Sequence, residues 1–281
     1  MSKMKKAMEK AKEERQNGGY PAGALRNFST KFKSAPLKRA FLDRREVQVD
    51  YSRTRVQQID PKTLKKNRVI AYFQDNPMTQ QINMLRTQVL EKLQETSGNC
   101  LMVTSANSGE GKTFTAINLG ISIAYEIDRT VLLVDADLKE PAIHHYDFSS
   151  DFFGIDLDQG ISDYLTGRAD IPDIILNPGI KKLTLLPGGR PLENSAELLG
   201  SPRMEALIHE MKTRYPADRV IIFDSPAVLN FSDPVVLSRF MDGIIFVVEE
   251  ERTSGDEVRQ ALSYLKNRPV MGMVLNKARS N

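Results

Sequence analysis

The chain has 281 residues, of which 27% are charged and 41% hydrophobic, a balance that supports a full apolar core and excludes global disorder. The longest uncharged stretch, residues 96–109, covers 14 positions and includes Ser, Thr and Asn, short of the ~20 apolar residues that a membrane-spanning helix needs. The opening MSKMKKAMEKAKEERQ has no apolar signal core, so the cytoplasm is the expected compartment, and the single cysteine, Cys100, excludes an intramolecular disulfide or a cysteine-rich zinc site.

Charge divides the chain unevenly. Residues 1–70 carry 19 Lys and Arg against 7 Asp and Glu, a balance of +12, and the remainder carries 20 against 29, or −9. A basic arm on a mildly acidic globule calls for an acidic partner or surface. Within the arm Met4, Ala7, Met8 and Ala11 fall at helical spacing. That thin stripe fits a docking helix for a partner or an anionic membrane surface, and it equally fits a solvated, fraying helix. Residues 20–70 show no sustained apolar period, which places a basic, partly disordered arm over 1–75 and one domain over 76–281.

In that domain helical patterns alternate with β-branched runs. Helices are expected over 77–95, 112–127, 203–214 and 256–266, and strands over 100–104, 130–134, 183–186, 220–223, 244–248 and 270–275. Runs such as VLLV, VIIF and IIFVV suit strands buried on both faces. The expected class is therefore α/β, with a mostly parallel sheet between helix layers.

Chemistry concentrates where strands end. TSANSGEGKTF lies between the strand CLMV and the helix TFTAINLGISIAYEI. Gly109 and Gly111 allow backbone conformations that turn amides inward, so Ser108, Gly109, Glu110 and Gly111 can cradle polyphosphate at a helix N-terminus. Lys112 then reaches the β- and γ-phosphates and the Thr113 hydroxyl ligates Mg²⁺, as in the phosphate-loop pattern G-x-x-x-x-G-K-[ST], with Ala106 at the first glycine position. Asp135 and Asp137 of TVLLVDADLKEP leave a strand end two residues apart, suited to holding hydrated Mg²⁺ and accepting a nucleophile's proton. Asp224 of RVIIFDSPAVL ends another strand in the manner of a Walker B aspartate. Each acid alone could be a helix cap or turn former. Together with the loop they make a site, at the strand ends where open α/β sheets bind ligands.

Taken in order, ANSGEGKT, VLLVDADLKEP, RVIIFDSPAVL and GMVLNKA resemble the bacterial tyrosine autokinases of exopolysaccharide loci, over residues 77–278. LLPGGRPLENSAELLG resembles that family's connection into its Walker B strand, and the opening residues resemble cytoplasmic kinases encoded beside chain-length determinant proteins. The family shares a superfamily with partition and septum-placement ATPases, whose phosphate loop carries a signature lysine after its first glycine position. Asn107 stands there in this sequence, which favours the kinase branch.

The resemblance implies a P-loop NTPase fold with ATP and Mg²⁺ as cofactors. Lys112 and Thr113 would lie on phosphate and metal, Asp135 and Asp137 would form the catalytic acidic motif, and Asp224 would complete the metal site. Asn276 of VLNKA would read adenine, unless it simply ends its strand. A homo-oligomer is implied too, as is a membrane-anchored chain-length determinant partner whose cytoplasmic segment is met at the inner face of the plasma membrane. Two features depart from the family. The ring motif E-x-x-R-x-x-R reads Gln80, Asn83 and Arg86, which puts ring assembly through it in doubt, and no terminal tyrosine cluster follows Tyr264 in this sequence.

The expected activity is an ATP- and Mg²⁺-dependent protein-tyrosine autokinase acting in exopolysaccharide synthesis or export, with Asp135 or Asp137 receiving the tyrosyl proton. A partition-type switch ATPase and a nucleotide-binding adaptor are the alternatives. Tyr125, Tyr164, Tyr215 and Tyr264 fall in or beside predicted helices and are expected to be packed, so phosphate is expected first on Tyr51 or Tyr20 of the arm. The adjacent His144 and His145 make a poor metal pair. His209 is expected at the surface and Cys100 as a small core hydrophobe. The arm has no aromatic platform or recognition-helix pattern, so sequence-specific nucleic acid is not an expected partner.

Overall fold

The structure, a computed structural model, describes residues 47, 49, 54–139, 148–214 and 218–279. Its strands are β1 (Arg55–Val56), β2 (Cys100–Ser105), β3 (Thr130–Asp135), β4 (Leu176–Asn177), β5 (Leu183–Leu186), β6 (Arg219–Asp224), β7 (Gly243–Glu249) and β8 (Val270–Asn276). They join in the order β1-β4-β5-β3-β6-β2-β7-β8. Every neighbouring pair is parallel except β4 with β5. The helices are α1 (Pro61–Lys66), α2 (Thr79–Glu95), α3 (Lys112–Ala124), α4 (Ile161–Leu165), α5 (Ile171–Ile174), α6 (Ser195–Leu199), α7 (Pro202–Arg214), α8 (Asp233–Leu237) and α9 (Gly255–Tyr264).

Successive side chains of a strand point to opposite faces, so each apolar run feeds two cores. Leu101, Val103, Val131, Leu133 and Ile222 join Val89 and Leu93 of α2 and the buried face of α3. Met102, Leu132, Val134, Ile221 and Phe223 join Met204, Leu207, Ile208 and Met211 of α7 and Ala261 of α9. The α7 residues recur at the i, i+3, i+4, i+7 spacing of one helical stripe. α9 begins at a capping box, in which Ser254 Oγ accepts from the Glu257 N–H (3.2 Å) and the Glu257 carboxylate accepts from the Ser254 N–H (2.8 Å).

The expected α/β class and mostly parallel sheet are present, and the strands of the central sheet fall within a residue or two of their expected bounds. The domain boundary at 75/76 does not fit the described residues. β1 pairs with β4, and Leu64, Val69 and Ala71 are at most 1% exposed in the core beneath α3. Asn118 of α3, fully buried, accepts from the Ala71 N–H (2.9 Å) and donates to the Arg68 carbonyl (3.3 Å). Leu64 is the one buried position of the six-residue α1 and Ala71 lies in the three-residue 3-10 turn Ile70–Tyr72, elements too short to show a period in the sequence. The unit they join runs over Arg45–Asn281. The stripe at 1–16, Tyr20, Tyr51, His144, His145 and Tyr215 lie outside the described residues. Among the described residues no helix is long and apolar enough to cross a membrane.

Candidate nucleotide-binding site

β2 delivers the chain, fully buried, to the phosphate loop, and α3 carries it away. Gly109 (φ +84°) and Gly111 (φ +95°) adopt the left-handed conformation that favours glycine. Gly111 sits at the N-cap of α3, where no side chain caps the helix. The amides of the first turn therefore remain available to an anion, aligned with the positive end of a 13-residue helix. Lys112, at the first helical position, is only 8% exposed. Residues Ser108–Thr113 thus lie in the turn that leads from β2 into α3.

The acidic residues arrive from two adjacent parallel strands. Asp135 at the end of β3 and Asp224 at the end of β6 are direct register partners, 5% and 2% exposed. The Asp137 N–H donates to Asp135 Oδ1 (3.0 Å), folding the DAD segment back over its strand end. Burial pushes the Asp224 carboxyl up to about 7, opposed by a hydrogen bond from the Thr113 hydroxyl and by the Lys112 charge, while Asp137 adds to the rise. Asp224 Oδ1 has no hydrogen-bond partner. A cleft beside Asp135 and Asp137 is walled by Lys139, Gly188, Gly189 and Pro191.

Among the described residues no three His, Cys, Asp or Glu side chains converge into a metal cage. Mg²⁺ does not require one, since it is commonly held by one or two carboxylates with phosphate oxygens and waters. The unpartnered Asp224 oxygen beside Thr113, with Asp135 alongside, fits that mode of binding.

Side chains from the end of β8, α9 and the segment after β7 brace the loop from outside, and sequence reasoning missed them. Glu110 is fully buried. Its carboxylate accepts from the Asn107 N–H (3.1 Å) and from the Thr253 hydroxyl. Lys277 Nζ donates to the Gly109 carbonyl (2.9 Å) and to Glu249 (3.0 Å), and Arg252 also donates to Glu249 (3.1 Å). Asn107 Nδ2 donates to Glu257 Oε1 (2.9 Å), so the position of the superfamily's signature lysine is tied to α9. Asn276 Nδ2 donates to the Glu110 carbonyl (2.8 Å), and a Cβ at Gly111 would collide with this amide. The expectation that Asn276 reads adenine thus meets a side chain already engaged by the loop backbone. The strand-end LNK triplet was the one sequence signal for this bracing.

The remaining candidates sort by burial. Cys100 is fully buried, its thiol pushed far above the usual range by that burial, and it packs against Met241. His209 is exposed. Tyr264 and Tyr125 are 52% and 43% exposed, contrary to the expectation that the globule's tyrosines are packed. Arg86 pairs with Glu126 (2.8 Å) and donates to the Ser122 carbonyl (3.1 Å), so its charge joins α2 to the end of α3.

A strand–loop–helix phosphate cradle faced by strand-end aspartates of a parallel sheet defines a phosphate-loop nucleotide-binding protein. Residues 101–281 match the family described as the CobQ/CobB/MinD/ParA nucleotide binding domain. The chain is 30% identical over 224 residues to the tyrosine-protein kinase YwqD of Bacillus subtilis, covering 76% of this chain and 90% of YwqD. It is 30% identical over 204 residues to EpsB of Ralstonia nicotianae, covering 72% of this chain but 26% of EpsB, so it spans about a quarter of that relative's length. The kinase domain of the Escherichia coli tyrosine kinase ETK superposes with a TM-score of 0.62 at 28% identity, covering 71% of this chain and 77% of that one. The chain belongs to the bacterial tyrosine-kinase family within the CobQ/CobB/MinD/ParA nucleotide-binding superfamily.

Proposed function

We propose that the protein is an ATP- and Mg²⁺-dependent protein-tyrosine autokinase serving exopolysaccharide or capsule production. The observation that carries this reading is the meeting of Lys112 and Thr113 with Asp135 and Asp224 at the carboxyl ends of two adjacent central strands, in a chain 30% identical to YwqD over 224 residues. Loop amides and Lys112 would hold the triphosphate and neutralise charge developing on the transferred phosphoryl group. Thr113, Asp135 and Asp224 would hold Mg²⁺. That ion supplies charge neutralisation across the phosphate oxygens.

The acceptor tyrosine would enter by the cleft beside Asp135 and Asp137, where one of these carboxylates would take its proton as the tyrosyl oxygen bonds the γ-phosphorus and the bond from that phosphorus to the β,γ-bridging oxygen breaks, releasing ADP. A membrane-anchored chain-length determinant as partner, and a peripheral place at the inner face of the plasma membrane, are supported by the sequence resemblance and by the basic arm.

Incubation of the full chain with Mg-ATP, followed by phosphotyrosine mapping by mass spectrometry, tests the reading. Phosphate on tyrosine, absent from the Lys112→Met variant, is the expected result. ATP hydrolysis with no phosphotyrosine would favour a partition-type switch ATPase instead. Exposed Tyr125 and Tyr264 join Tyr20 and Tyr51 as positions to be scored.

A further inference from the structure

On α1 the exposed Lys62, Lys65 and Lys66 lie at i, i+3 and i+4, on one helical face, with exposed Arg68 just beyond the helix end. Beside them opens a cleft of about 190 Å³, rimmed by Lys65 and Arg68, floored by Val69, Ile70 and Phe73, and bearing one carboxylate, that of Asp75. None of these residues belongs to the nucleotide site. The floor is built rather than incidental. Asn118 holds the Arg68 carbonyl and the Ala71 N–H from inside the core, and the Thr79 hydroxyl donates to the Phe73 carbonyl (2.8 Å). A preformed concavity with an apolar base and a cationic rim suits a side chain flanked by negative charge.

The structure assigns this cleft as a docking site for an acidic peptide segment of a partner protein, carrying an aromatic or aliphatic anchor that enters between Arg68 and Phe73. Charge complementarity selects that occupant. The chain's own N-terminal residues 1–46 hold thirteen Lys and Arg against five Asp and Glu, a balance of +8 that disfavours self-docking against four cations. A flat lipid surface would meet the lysines but would leave the recessed apolar floor unused.

The probe is a fluorescein-labelled Glu-rich dodecapeptide with one central Phe, titrated into the full chain and followed by fluorescence polarisation. Saturable binding is expected, weakened about tenfold by Lys65→Glu with Lys66→Glu and also by replacing the peptide's Phe with Ser. Tighter binding is expected for Asp75→Lys, which removes the lining carboxylate. All three protein positions are exposed, and circular dichroism checks that the variants fold. Peptide binding that is absent, or unchanged by these substitutions as arm-driven binding would be, overturns the proposal. So does loss in the lysine variant of cosedimentation with phosphatidylserine vesicles while the peptide does not bind, which would make the patch a membrane contact. Concentration-dependent self-association abolished by the lysine substitutions, again without peptide binding, would make it a contact between copies.

Discussion

Replacing Asp224 with Asn should stabilise the nucleotide-free protein at about pH 8, although it removes a residue of the proposed metal site. The carboxyl is buried beside Asp137, and its affinity for a proton rises from the ordinary 3.8 to about 7. Between those values the folded chain keeps a proton that the unfolded chain has released. Stability therefore falls as pH rises through that window, and the full penalty stands above about 7. Roughly three pH units at ~1.4 kcal/mol each put this penalty on the order of 4 kcal/mol. The isosteric amide has no charge to desolvate, so a gain of roughly 2–4 kcal/mol is expected near pH 8, shrinking towards zero near pH 4. Urea unfolding of parent and variant, followed by circular dichroism at several pH values, reads the difference directly and cancels pH effects common to both. Saturating Mg-ATP should erase the gain, because ligand binding stabilises the parent and the variant holds the metal poorly. A variant less stable than the parent at about pH 8, or a difference independent of pH, would refute the reasoning.

Lys112→Met should reduce phosphoryl transfer by ~10² to 10³, measured as single-turnover release of labelled phosphate. Asn276→Ala removes the bond to the Glu110 carbonyl and should weaken binding by about 1 kcal/mol. If the residue braces the loop, fluorescent ATP and GTP analogues weaken alike in direct titration, whereas an adenine reader loses ATP alone. Arg86→Ala breaks the pairing of α2 with Glu126 and should lower stability by about 1 kcal/mol in urea. Sedimentation velocity should show its oligomeric state unchanged, because that charge is engaged within one chain.

The sheet and the phosphate loop were legible in the sequence because each depends on local grammar. VLLV, VIIF and IIFVV need burial on both faces whatever surrounds them. A loop bearing Gly109, Gly111, Lys112 and Thr113 between a strand and a helix has few other uses. Asp135, Asp137 and Asp224 could be nominated because open α/β sheets bind ligands at the carboxyl ends of their strands.

Tertiary structure decided what those residues meet. β3 and β6 are separated by more than 80 residues, and only their adjacency makes Asp135 and Asp224 register partners. Burial there, invisible in the string RVIIFD, raises the Asp224 proton affinity. Leu64, Val69 and Ala71 sit in elements too short to show a period, yet they enter the core, where Asn118 of α3 holds the Ala71 N–H. The bracing of Gly109 and Glu110 by Lys277 and Asn276 joins positions more than 160 residues apart. Local pattern fixes strands, turns and the loop, since backbone sterics and periodicity act over a few residues; contacts across the fold assign polar partners and proton affinities, since these depend on which distant groups share a dry environment.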